Sequence, residues 1–321
     1  MSMNRRNFLF AAAATPALAT APKPVLASSP AKNSFQGTYR FTVGDATVTA
    51  LLDGYLDAAP QMIPGFDEAT ILPALEKAQQ KLYPGGVRIP VNAFLVEHNG
   101  QRILIDAGTS SFLGDTLGDL NKALAAINVS ADTIDVIALT HIHPDHSGGL
   151  IDANGQAVFA NAQIAVGQTE YSFWHDDGIM ASVPESSRGF FQIARNTVAP
   201  YADRMIMHSG EQDVLPGLTS LPLPGHTPGH AGYLLQSAQE QLLFWGDLVH
   251  MTALQFDNPN LTIAFDTDAK QTVATRLGMF DRAVADNLLV TGAHLDFPGL
   301  GKVRKAADGY AYQPAPWQYG A

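Results

Sequence analysis

The chain has 321 residues, 46% of them hydrophobic and 15% charged, with a formal net charge of −11 and no cysteine. A chain of this length and apolar content buries one sizeable core. Its acidic balance makes it a poor partner for nucleic acid or an anionic membrane surface. Without cysteine there is no disulfide, no thiolate nucleophile and no Cys-based zinc site, so any metal must be held by His and carboxylate.

The N-terminal stretch "MNRRNFLFAAAATPALA" carries adjacent Arg5 and Arg6, then an apolar run, then small residues. This is the layout of a twin-arginine signal peptide. Cleavage fits after Ala19 or Ala27, and the apolar run is too short to span a bilayer. The expectation is residues 1–27 as signal peptide, export to the periplasm and no stable membrane insertion. Residues 28–37 read as a flexible arm, and 38–321 as one domain.

From Tyr39, "YRFTVGDATVTALLDG" alternates as a strand pair, and "ATILPALEKAQQKLY" has helical spacing. "VNAFLVEHNGQRILIDAG" is a hairpin around the two-residue turn Asn99-Gly100. "TLGDLNKALAAINV" reads as an amphipathic helix, "IDVIALT" as a buried strand, "AQIAVG" as a strand, and a helix begins near Thr169. Tyr171 to about Tyr201 looks irregular and rich in aromatics. Strands resume in "DRMIMHS", "VLPGLTSLPLPGH", "AGYLLQSAQEQLLFWGD" and "NLLVTGAH". The pattern predicts one α/β domain with two similar β-rich layers, helices outside and loops meeting along one edge.

The densest chemistry is in "THIHPDHSGG", Thr140 to Gly149. Residues i and i+2 of an extended segment point the same way, so His141 and His143 can reach one ion. Pro144 stops the strand, and Asp145 and His146 can turn toward a second. Gly148 and Gly149 allow a tight backbone next. Four ionisable groups at the end of a buried strand are costly without a partner. A divalent metal supplies that partner.

The HxHxDH pattern resembles the signature of the metallo-β-lactamase superfamily. The resemblance implies an αββα sandwich with a binuclear metal site at the sheet edges. It implies three later ligands, His226 in "PLPGHTPGH", Asp247 in "LLFWGDLVH" and His294 in "LLVTGAH". One metal would take His141, His143 and His226; the other Asp145, His146 and His294; Asp247 would bridge both. His230 is read as structural, and His98, His175 and His208 as unrelated to the site. His and carboxylate suit two zinc ions, and iron, manganese or cobalt also fit.

Two stretches, "GDLVHMTALQFDNPNLTIAFDTDAKQTVATR" and "GAHLDFPGLGKVRK", are similar to methyl parathion hydrolase and its lactone- and arylester-cleaving relatives. That similarity implies a hydrolase acting on lactones, aryl esters and organophosphate triesters, and a homodimer. Attack would come from a hydroxide bridging metals about 3.5–4 Å apart, with Asp145 or Asp247 shuttling a proton. The substrate would be small and apolar or aromatic, against Phe112, Trp174, Phe190, Phe191, His250 and Ile263, with Tyr171 and Phe173 nearby. Other readings stay open: an acyl-homoserine-lactone lactonase, a β-lactamase, a glyoxalase II-like thioesterase, or a periplasmic metal-binding protein without catalysis.

Overall fold

A computed structural model describes residues 37–307 and 309–320. The proposed signal peptide, and the proposed arm up to residue 36, lie outside the described residues. Two seven-stranded mixed sheets face each other. The first runs in chain order from β1 (Thr38–Val43) through β2 (Ala46–Ala58), β3 (Val87–His98), β4 (Gln101–Ile105), β5 (Val136–Ala138) and β6 (Gln163–Gly167) to β7 (Met205–His208). Its first four strands pair antiparallel and β4 to β7 parallel.

The second sheet holds β8 (Gln212–Leu215), β9 (Leu218–Pro222), β10 (Ala231–Ser237), β11 (Glu240–Phe244), β12 (Leu289–Thr291), β13 (Gly301–Ala306) and β14 (Gly309–Pro314). Only β11 and β12 pair parallel in it. The strands read as near-continuous apolar runs because both faces are covered. Phe94 and Val96 of β3, Ile105 of β4 and Val136 of β5 meet Tyr233, Leu235 and Phe244 between the sheets. The alternate residues Ala93, Leu95, Leu104 and Ile137 face an outer helical layer.

Helices cover the outside. These are α1 (Glu68–Lys77), α2 (Leu120–Ala126), α3 (Pro144–Ser147), α4 (Gln168–His175), α5 (Asp177–Ser182), α6 (Glu185–Val198), α7 (Thr252–Gln255) and α8 (Ala269–Ala285). Phe191, Ala194 and Val198 of α6 pack on the first sheet, and Met279, Phe280 and Ala283 of α8 on the second. The result is the αββα metallo-β-lactamase fold that the sequence led us to expect.

Two expectations need correction. The segment Tyr171–Tyr201 is not irregular. It forms α4, α5 and α6, broken at Asp176, whose side chain caps α5 through Ile179 N, and at Val183-Pro184. Short helices with Gly and Pro near their ends hide the helical period. "IDVIALT" supplies only three strand residues, because Leu139 and Thr140 leave the ladder to begin the polar loop.

Candidate metal centre

The parallel strands end along one edge, and there the polar residues collect. β5 runs out into Thr140–His143 and α3, which carries Asp145 and His146. The loop between β9 and β10 carries His226, β11 leads to Asp247, and β12 leads to His294. Gly148 and Gly149 let this edge close up. A Cβ on Gly148 would lie 2.2 Å from the Thr109 carbonyl oxygen, and one on Gly149 1.9 Å from that of Ala107. Gly246 has φ +54° and stands where a Cβ would strike His230 Nε2 at 2.5 Å. Only glycine turns the chain there to aim Asp247 inward.

Seven side chains from five segments converge. His141 Nε2 lies 2.9 Å from His143 Nδ1, which is 3.0 Å from His226 Nε2. Asp247 Oδ2 is 3.2 Å from His226 Nε2 and 3.6 Å from His141 Nε2. Beside this group, Asp145 Oδ2 lies 3.7 Å from His146 Nε2 and 3.5 Å from His294 Nε2. Asp247 faces both sets, with Oδ1 3.1 Å from His146 Nε2 and Oδ2 3.2 Å from His294 Nε2. All but Asp145 and His143 are buried.

The donor set fits a pair of divalent cations. Ligands roughly 2.0–2.1 Å from a tetrahedral ion stand about 3.3 Å from one another, close to the spacing seen here. His146 Nε2 and Asp247 Oδ1 are buried and near each other, yet neither makes a hydrogen bond among the described residues. Lone pairs that converge in a buried site without protons between them call for a cation.

Electrostatics point the same way. Burial drives His141 and His143 well below the ordinary imidazole pKa. Burial also opposes charge on His226, but Asp247 and Asp266 outweigh it and raise its pKa to about 9. At His146 and His294, burial is again outweighed, chiefly by Asp247, and both pKa values rise. Burial resists ionisation of Asp247, yet His146, His294 and His141 hold its carboxyl well below the usual range. The balancing charge can be protons or metal, and metal binding would release those protons.

A set of carboxylates, none of them singled out by the sequence, holds the ligands. His146 Nδ1 donates to Asp106 Oδ2 at 2.8 Å, and the same carboxylate accepts from Thr140 N and Oγ1. Asp106 holds φ +59°, a strained conformation for a non-glycine residue. Fully buried Glu170 accepts from Ile142 N, between two of the clustered histidines, from Thr227 Oγ1 beside His226, and from Trp174 Nε1. Asp266 accepts from His226 Nδ1. Such partners fix the tautomer and orientation of an imidazole. Asp106 had a sequence signal, an acid at a strand end. Asp266 had none, lying 40 residues from His226.

His230 donates from Nδ1 to the Leu223 carbonyl and accepts at Nε2 from Asp247 N, so it positions Asp247 rather than joining the cluster. Burial lowers its pKa to about 3, which keeps Nε2 free to accept.

Over the cluster opens a cavity of about 730 Å³. Trp174, Phe190, Phe191, His250 and Ile263 line it, as do Phe173 and Leu113. Trp174 and Phe191 also belong to the core, their rings 4.8 Å apart. Phe112 does not line it: its ring packs toward Gly148, and neighbouring Leu113 takes that wall. Tyr171 stacks on His175 and does not line the cavity. His250 comes closer to the cluster than a pocket residue, with Nε2 3.1 Å from Asp247 Oδ2 and its ring stacked on His294. It forms a third potential donor group with Asp247 and His294.

Comparison with known proteins agrees with this geometry. The chain is 26% identical over 178 residues to an N-acyl homoserine lactonase of Bacillus thuringiensis, covering 49% of this chain and 63% of that protein. It thus spans less than two thirds of that relative's length. Among solved structures, the hydrolase AbOPH of the beta lactamase superfamily superposes with TM-score 0.83 at 34% identity, over 88% of this chain and 98% of that one. The dizinc quorum-quenching lactonase AidC superposes with TM-score 0.82 at 25% identity, over the same shares. Residues 86–293 match the family model of the metallo-beta-lactamase superfamily. With the fold, this match covers well over half of the chain, and the chain belongs to the metallo-beta-lactamase superfamily.

Proposed function

We propose that this protein is a binuclear metal-dependent hydrolase that opens lactones and cleaves aryl esters. The observation that carries the reading is the convergence of His141, His143, His226 and Asp247 beside Asp145, His146 and His294 under an apolar cavity. His141, His143 and His226 would hold one cation, Asp145, His146 and His294 the other, and Asp247 both. Zinc suits the donors, and AidC is described as dizinc.

A pair of bound divalent cations supplies hydroxide near neutral pH and polarises an ester carbonyl. The chain's own residues do the rest. Asp106 and Asp266 keep a proton on Nδ1 of His146 and of His226, leaving each Nε2 free as donor. Asp145, the more exposed carboxylate, borders the cavity and can take a proton during turnover. His250 stays neutral, because burial lowers its pKa to about 4, and its ring forms cavity wall beside the reacting carbonyl. The aromatic wall binds the ring or chain of the substrate and excludes water.

Lactonase relatives favour lactones as first substrates. Phosphotriesters such as methyl parathion are a second class, supported by the resemblance of the stretches around Asp247 and His294. Export to the periplasm and a homodimer are part of the same proposal, from the N-terminal pattern and that resemblance. The test is a panel of dihydrocoumarin, an N-acyl homoserine lactone, phenyl acetate, methyl parathion, nitrocefin and S-lactoylglutathione on metal-quantified protein. Lactone and aryl ester turnover is expected. It should fall by at least about 100-fold in His143→Ala, since even the partners of metal ligands are worth 10–100-fold. Equal turnover in the variant would refute the assigned centre.

A further inference from the structure

We propose that the cavity selects for uncharged substrates and rejects those carrying a carboxylate or phosphate on the acyl or leaving group. This rests on the hydrolase reading and names the substrate class for that site. The cavity wall carries four carboxylates, Asp57, Asp145, Asp247 and Asp266, and no Lys or Arg among the described residues.

Arginines do stand around this wall, but each is turned away. Arg88 lies between the rings of Tyr55 and Tyr83, 3.7 and 3.6 Å from their centroids, and grips both oxygens of Asp57. Arg188 donates to the Ala181 carbonyl. Arg195 donates to the Trp174 carbonyl and to Asp177. Arg276 is fully buried and donates to the carbonyls of Leu248, Pro259 and Leu261 behind the wall. These cations serve the scaffold and leave none to receive a substrate anion.

An anionic substituent entering the cavity would lose its water against Phe173, Phe190 and Val183 without gaining a partner. It would also approach a chain of net charge −11, which slows encounter with anions. An uncharged lactone or ester bears neither cost. Specificity of this kind comes from what a site fails to pair.

The experiment compares phenyl 4-oxopentanoate with monophenyl succinate, esters of similar size that differ in a terminal carboxylate. Both are assayed on zinc-loaded protein and corrected for uncatalysed hydrolysis. The same acids as their phenyl amides serve as competitive ligands in a calorimetric binding measurement. The expected result is kcat/KM at least about 100-fold higher for the uncharged ester, with weaker binding of the anionic amide. A Phe265→Arg variant, which puts a cation on the wall, should narrow the ratio at least tenfold. A ratio below ten in the unmodified protein, or a ratio unmoved in Phe265→Arg, overturns the selection while leaving the hydrolase reading intact. Failure to hydrolyse either ester by protein holding two equivalents of zinc overturns both.

Discussion

His226 Nδ1 donates to Asp266 Oδ1 at 2.9 Å, while Oδ2 of the same carboxylate accepts from Ile263 N at 3.0 Å. Thr267 N also donates to the His226 carbonyl. One side chain therefore joins a proposed metal ligand to the loop that carries Ile263 and Phe265 into the cavity wall. Replacing Asp266 by Ala should lower cation affinity by about 10–100-fold, measured by competition with a chromophoric chelator. Asp266→Asn retains an acceptor and should fall between. Unchanged affinity in Asp266→Ala would remove this carboxylate from the account of the centre.

Glu170 ties three parts of the site together, and its loss is a stability matter. Without its carboxylate, Ile142 N, Thr227 Oγ1 and Trp174 Nε1 lose a buried acceptor. Each unsatisfied donor costs about 1–3 kcal/mol, so Glu170→Ala should lose roughly 3 kcal/mol or more. Urea unfolding of the metal-free protein measures this, with Trp fluorescence reporting the freed indole. A loss below about 1 kcal/mol would mean that water or a neighbour replaces the carboxylate.

His208 gives a pH dependence away from the metal ligands. It is buried, and its Nε2 donates to the Tyr233 hydroxyl, which donates onward to the Leu139 carbonyl. Burial lowers its pKa from 6.5 to about 4. The folded state thus favours the neutral ring. Its contribution is complete above pH 6.5 and is lost as pH falls toward 4, up to about 3 kcal/mol. Metal-free protein should lose stability between pH 7 and 4.5, and His208→Gln should lose less. Equal losses in the two would show that other groups govern the acid limb.

Much of this was legible in the chain. "THIHPDHSGG" fixes four of the seven clustered residues in one turn, because strand geometry and Pro144 leave few ways to arrange them. His226, Asp247 and His294 stood out because each follows an apolar run, as loops at strand ends must. The helices α5 and α6 were not legible: Gly178, Pro184 and Gly189 interrupt the helical period, and their apolar face is completed only by the sheet beneath. Phe112 and Leu113 show the same limit on a smaller scale. Both are apolar and adjacent, and only the close approach of Gly148 to Thr109 decides which one faces the cavity. Asp106, Glu170 and Asp266 act through contacts 28 to 40 residues away in sequence, which local pattern does not carry.

The most direct test is anomalous X-ray diffraction from crystals of the zinc-loaded protein. Two peaks should appear, one amid His141, His143 and His226, the other amid Asp145, His146 and His294, with Asp247 touching both. A single peak, or peaks elsewhere on the molecule, would contradict a paired-cation site built by these side chains.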